Sequence, residues 1–221
     1  MATVTADQGS EDQGSEGRGP DGQGAGAVAD GRRARGARNR DAVVAAILEL
    51  LREGNPNPGA HEIAERSGVS VRSVFRHFDD LESLHEVAIE QVLEQSAHLY
   101  APPAPTGDLA ARSRAIVEQR ARLFEEITPT RVVAERLRVR SEPIAAQLAR
   151  AHSFLRDQIA ELFAEELRAL PAAERRTTLD ALDVALSWPS WHQLRTDQGL
   201  SVARASAALR RTLVRLLAAA G

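Results

Sequence analysis

From residue 41 onward, apolar side chains recur every three or four positions, the period of helices with one buried face. Val43, Val44, Ile47, Leu48, Leu50 and Leu51 give a first helix over 41–53 a broad apolar face, and Gly54 ends it. Asn55-Pro56-Asn57-Pro58 follows as a stiff connector, with Pro58 suited to the first turn of the next helix. Residues 60–78 then read as two short helices around a tight turn. Ile63, Ala64 and Ser67 mark the inner face of the first, and small Ala64 lets the second cross close by. Gly68 supplies a residue able to adopt positive φ, and Val69 plugs the corner. Ser70 is placed to cap the second helix by accepting an orphan backbone N–H. Val74 and Phe78 face inward, so Val71, Arg72, Ser73, Phe75, Arg76 and His77 look outward or sideways. Asp79 with Glu82 predicts a capping box for a fourth helix, which carries Leu81, Leu84, Val87, Ala88 and Leu93 and runs to about Tyr100.

Residues 101–105, Ala-Pro-Pro-Ala-Pro, break the chain and mark a domain boundary. Beyond them the helical period predicts helices over 108–127, 130–140, 143–169, 172–196 and 201–219, punctuated by Thr128-Pro129, Pro143, Pro171 and Gly199. Pro189, between Trp188 and Trp191, should kink or locally break its helix. No segment alternates as a strand does. The expected fold is all-α, with a three-helix helix-turn-helix domain over 36–100 and a helical bundle over 101–221.

Residues 1–30 change this picture little, being mostly Gly, Asp, Gln and Ser, with Asp7-Gln8-Gly9-Ser10-Glu11 repeated at once from Asp12 to Glu16. Such a segment cannot bury enough surface to offset its ordering entropy, so 1–35 is expected to be a disordered tail ending in a basic arm. The net charge of −3 over 221 residues is set by that tail. Residues 1–30 hold one Arg against six acids, residues 31–80 nine Arg against seven acids, and the remainder balances. Positive charge therefore gathers around the two short helices, as a nucleic-acid contact requires. Arg32, Arg33, Arg35, Arg38 and Arg40 form an arm that reads either as a solvated linker or as a segment touching phosphates or a minor groove.

Composition excludes several chemistries. All 28 cationic Lys/Arg positions are Arg, so a Lys Schiff base and a P-loop Lys are impossible. Without cysteine there is no disulfide, Cys-ligated zinc or thiol catalysis. The six histidines show no i,i+4 pair and no recognised metal spacing, and no nucleophile elbow or Gly-rich phosphate loop occurs. No enzyme activity, metal or cofactor is expected. No apolar run reaches about 18 residues and no apolar leader is visible, so a cytoplasmic protein without a membrane partner is expected.

A short helix carrying Arg, Ser and His beside a two-helix platform suits a DNA major groove. With the helices placed, the first domain resembles the TetR family of bacterial transcriptional regulators. The resemblance is carried by Ile47 to Gly54, by Glu62-Ile63-Ala64-Glu65-Arg66-Ser67-Gly68-Val69-Ser70, by Val74-Phe75-Arg76-His77-Phe78 and by Glu82-Ser83-Leu84. It covers residues 40 to 90, and the 187–201 stretch around the two Trp residues is also similar. The resemblance implies an α-helical homodimer that binds a palindromic operator in double-stranded DNA, acts as a repressor and is released by a small-molecule effector. It implies that Val71, Arg72 and Ser73 reach base edges, and that Phe75, Arg76 and His77 lie against the backbone. His61, Ser70 and Arg40 flank that contact. Two departures stand out, since Phe75 replaces a usual Tyr and Leu81 a frequent Lys, which removes a hydroxyl and a cation from the phosphate contacts. The alternative is a helical ligand-binding or scaffold protein that has lost specific DNA binding.

For an effector pocket in the second domain the candidates are Tyr100, Phe124, His152, Phe154 and Trp188, each of which also reads as plain core. Leu179, Leu182 and Leu186, with Val202, Leu209, Leu213, Leu216 and Leu217, form two apolar stripes. The resemblance implies that part of each stripe faces the second subunit of a dimer.

Overall fold

A computed structural model describes residues 23–104 and 106–218, with side chains from residue 33 onward. The chain divides into two units, residues 1–38 and 39–221. The first helix, α1 (Gln23–Arg52), begins well before the expected residue 41. Ala and Arg, both strong helix formers, dominate 25–38 and outweigh the intervening glycines. Residues 23–40 of the predicted tail and arm are thus helical, with Arg33, Arg35, Arg38 and Arg40 exposed. The rest of that tail, 1–22, lies outside the described residues.

Helices α2 (Ala60–Ser67), α3 (Val71–His77) and α4 (Leu81–Gln95) follow as the periodicity predicts. Val43, Ile47, Ile63, Val74 and Leu84 are wholly buried among them. Each such side chain contributes about 1.5–3 kcal/mol relative to exposure. The cap of α4 is one residue later than expected. Asp80, not Asp79, accepts from the Ser83 backbone N–H at 2.7 Å, and the Asp80 N–H donates to the Ser83 hydroxyl at 3.3 Å. Helix α4 also stops short of Tyr100, giving way to a 3₁₀ turn over Ala97–Tyr100.

The central helix is α5 (Leu109–Leu137), begun by Asp108, which accepts from the Ala111 N–H at 2.7 Å. The expected break at Thr128-Pro129 does not occur, and 108–127 and 130–140 are one element. Thr128 donates its hydroxyl to the Phe124 carbonyl and Thr130 to that of Ile127, and the buried face continues through Phe124, Ile127, Thr130 and Val133. Burial on both sides of the proline outweighs the lost backbone bond. The expected helix over 143–169 instead divides at Phe163 into α6 (Glu142–Leu162) and α7 (Ala164–Arg168). Arg112 explains the break: its guanidinium takes the Leu162 carbonyl at 2.8 Å and grips Glu166 in an ion pair. Beyond lie α8 (Ala172–Ala185), α9 (Trp188–His192) and α10 (Val202–Ala218), with a π-helical turn over Gln193–Asp197. The interruption expected near Pro189 falls just before it, where Ser187 caps α9. Helices α6 and α10 both pack on α5 and α8. No described residue lies in a strand, and no described helix is long and apolar enough to cross a membrane.

Candidate nucleic-acid interface and effector cavity

The turn between α2 and α3 is built by three residues. Gly68 sits at φ 69°, a left-handed conformation that favours glycine, and the next N–H, of Val69, donates to the Ala64 carbonyl at 3.2 Å. Ser70 caps α3, accepting from the Ser73 N–H at 3.2 Å and donating to the Ser73 hydroxyl at 3.1 Å. Val74 and Phe78 anchor α3 in the core. What remains outward is Arg72, Phe75 and Arg76, with Val71, Ser73 and His77 half-buried at the sides. His61 and Ser70 are exposed beside them.

The charges on this face differ in how they are balanced. Arg66 is tied back by Glu53 at 2.8 Å and Glu49 at 3.5 Å. Its hydrogen bonds hold the Glu53 carboxyl below the usual range against the opposing effect of burial. Arg72 and Arg76 make no ion pair among the described residues. The Arg40 guanidinium lies 5.2 Å above the Phe78 ring, so the first helix delivers a cation to the base of α3. His77 keeps its Nε2 buried without a hydrogen-bond partner among the described residues, so that edge of the ring faces inward. Nearby His85 is buried, its Nδ1 2.6 Å from the Leu81 carbonyl and its Nε2 unpartnered. Burial, followed by the positive field of Arg136, holds its pKa below 6.5 against the opposing pull of the Leu81 carbonyl.

Between Tyr100 and Pro189 the helices enclose a cavity of about 690 Å³. Of the five sequence candidates, Tyr100, Phe124, His152 and Trp188 line it. Phe154 does not; it is 47% exposed, and its ring meets that of Tyr100 at 6.4 Å. Sequence reasoning missed the charged lining: Arg131, Glu135, Arg138 and Asp183. The i,i+4 spacing of Arg131 and Glu135 was visible, but it looks like any solvated helix face.

Trp188 is fixed by its indole N–H, which donates to the Thr128 hydroxyl at 2.9 Å, and the Arg131 guanidinium lies 5.3 Å over its ring. Arg131 donates to one oxygen of Glu135 through Nε at 3.0 Å and Nη2 at 2.7 Å, while Arg138 takes the other oxygen at 3.3 Å. On the opposite side Asp183 is held by His152 at 2.8 Å and Arg156 at 3.1 Å. Behind the wall, Arg120 is fully buried and donates to neutral oxygens, Gln158 Oε1 at 2.9 Å and the Leu155 carbonyl at 2.8 Å among them. Burial pushes its pKa down to about 10, still high enough for a full charge at neutral pH. Burial likewise raises the Tyr100 phenol, opposed by the nearby charges of Arg131 and Arg120. Among the described residues no cluster of His, Asp and Glu could hold a metal ion.

No protein-family model matches the chain, and no curated protein does either. Solved structures do. A TetR-family transcriptional regulator from Streptomyces coelicolor superposes with a TM-score of 0.63 at 19% identity, covering 82% of this chain and 81% of that one. A transcriptional regulator from Rhodococcus sp. RHA1 gives 0.60 at 15% identity, covering 83% and 96%. The class defined is an all-α protein with an N-terminal helix-turn-helix and a helical C-terminal domain. In particular, the chain has the fold of TetR-family regulators.

Proposed function

We propose that the protein is a one-component transcriptional regulator that binds a palindromic DNA site as a homodimer and responds to a small molecule held in the 690 Å³ cavity. The observation that carries this reading is the state of α3. One face is locked into the core by Val74 and Phe78, while Arg72 and Arg76 project with no carboxylate partner among the described residues. Exposed guanidinium groups on a short, rigidly capped helix suit guanine edges and phosphates. Phe75 and Leu81 supply neither the hydroxyl nor the cation found in many relatives, so phosphate grip falls to Arg76 and Arg40.

The second copy would sit on the outward faces of α8 and α10. Most of the two apolar stripes is intramolecular core, since Leu182, Leu186, Leu209, Leu213 and Leu217 are buried within one chain. What is left outward includes Val184, Val202 and a surface lined by Thr177, Arg211 and Leu216. A ligand acts as a switch only by preferring one spacing of the two α3 helices, since equal affinity for both shifts nothing. Release on binding makes the protein a repressor when its operator overlaps a promoter.

The test is a titration of the full chain on DNA flanking its own gene, followed by fluorescence anisotropy at two salt concentrations. Salt-sensitive binding that exceeds binding to unrelated DNA is expected. Equal, weak binding to both would favour a helical ligand-binding protein without operator recognition.

A further inference from the structure

The effector reading leaves open what the cavity takes, and its charged lining is not symmetric. Both carboxylates are already engaged. Glu135 is shared by Arg131 and Arg138, and Asp183 by His152 and Arg156. The cations are not equally engaged. Arg131 spends Nε and Nη2 on Glu135, and its Nη1 makes no hydrogen bond among the described residues. Its side chain is only 17% exposed, so that free nitrogen lies in a partly desolvated wall. Tyr100, on the same lining, has a hydroxyl with no hydrogen-bond partner among the described residues. Arg120 adds a second cation just behind, fully buried and hydrogen-bonded to neutral groups only. Most of the rest of the wall is apolar, with Phe124, Ile127, Leu148, Ile159 and Leu186 facing the space.

From this we infer that the cavity binds an amphipathic organic carboxylate, its apolar body against Phe124, Leu148 and Trp188 and its carboxylate on Arg131 Nη1 and the Tyr100 hydroxyl. This rests on the effector reading above. A cationic ligand finds no unpaired carboxylate here and would meet Arg131 and the field of Arg120. A neutral ligand would leave Arg131 Nη1 and the phenol without the acceptor that a carboxylate supplies at charge-assisted strength. The volume falls within the range of about 300–1,000 Å³ that accommodates drug-sized molecules. Glu135 competes with the ligand for Arg131, so it sets how tightly the acid is held.

The experiment is calorimetric titration of the full chain with a matched trio: 4-biphenylacetate, 4-biphenylacetamide and 2-(4-biphenyl)ethylamine. The acid should bind at least about tenfold more tightly than the amide or the amine, which corresponds to one charge-assisted contact. Arg131→Gln should bring the acid down to the level of the amide while weakening the amide far less, and the amide's retained binding shows that the pocket is intact. Glu135→Gln should tighten the acid several-fold and leave the amide alone. A merely structural role for the pair would weaken all three ligands together. The inference is overturned if the amide or amine matches the acid, if none of the three binds at about 1 mM, or if either variant leaves the preference for the acid unchanged. DNA binding by the same preparation without ligand is read separately. A chain that binds its operator but ignores the acid sinks this inference alone; one that prefers the acid but binds no DNA sinks the regulator reading and leaves the pocket assignment standing.

Discussion

Arg72 and Arg120 are the same side chain in opposite circumstances. Arg120 is wholly buried and donates only to uncharged oxygens, its Nε left unpartnered among the described residues, whereas Arg72 stands exposed on α3 without a carboxylate partner among them. Burial charges Arg120 a desolvation cost that shows as its lowered pKa; exposure leaves the Arg72 charge available to DNA. Arg72→Ala should therefore cost about 1–3 kcal/mol of operator affinity, the worth of a bidentate base contact. Its thermal midpoint should stay at the wild-type value; an unchanged affinity would remove Arg72 from the interface. His85 gives a second prediction at this scale. Its folded-state pKa is lowered below the ordinary 6.5, mainly by burial, so its contribution is fully present above 6.5 and is lost as pH falls through the lower folded value. The carboxyls of Glu125 and Glu166 are held below 4.5 by hydrogen bonds from Arg195 and Arg112, so their contributions fade only in more acid solution. His85→Leu should flatten the fall in stability just below pH 6.5 and leave the steeper acid limb intact, as urea midpoints across that range would show.

At the scale of elements, the helix-turn-helix was the most legible part of the chain, because its determinants are local. A glycine for positive φ, a serine cap and two core residues four apart are each readable from a few neighbouring residues, and Gly68, Ser70, Val74 and Phe78 take those places. A methyl group at Gly68 would meet nothing within 4 Å, so substitution there is opposed by the backbone alone. Gly68→Ala should lose about 1–2 kcal/mol in chemical denaturation and Gly68→Asn less, since Asn tolerates the left-handed region better. Equal losses would mean that packing, not backbone conformation, sets the cost. What was not legible depends on partners distant in sequence. The continuity of α5 through Pro129 follows from burial on both sides of it, and the end of α6 from Arg112 reaching across some fifty residues to the Leu162 carbonyl. The cavity was half legible for the same reason. Aromatic Tyr100, Phe124 and Trp188 drew notice by type, while Arg131, Glu135 and Asp183 take meaning only once α5, α6 and α8 are side by side.

For the whole molecule, the sorting of the apolar stripes separates what holds one chain together from what is left for a second. Leu209, Leu213 and Leu217 of α10 are spent on the intramolecular core, so contacts of the proposed dimer are left to outward residues such as Val184, Val202, Thr177, Arg211 and Leu216. Thr177→Arg should therefore yield a monomer by light scattering without lowering the monomer's melting cooperativity. A wild-type chain that is already monomeric at micromolar concentration would remove the dimer. Two-fold symmetry in the proposed dimer would require two-fold symmetry in the DNA it binds. Sites selected by the full chain from a random DNA library should converge on a palindrome. Hydroxyl-radical footprints should show two protected half-sites whose centres lie about 34–36 Å apart, or a multiple of that. Selection that enriches no sequence, or a footprint covering a single unsymmetrical patch, would contradict the account.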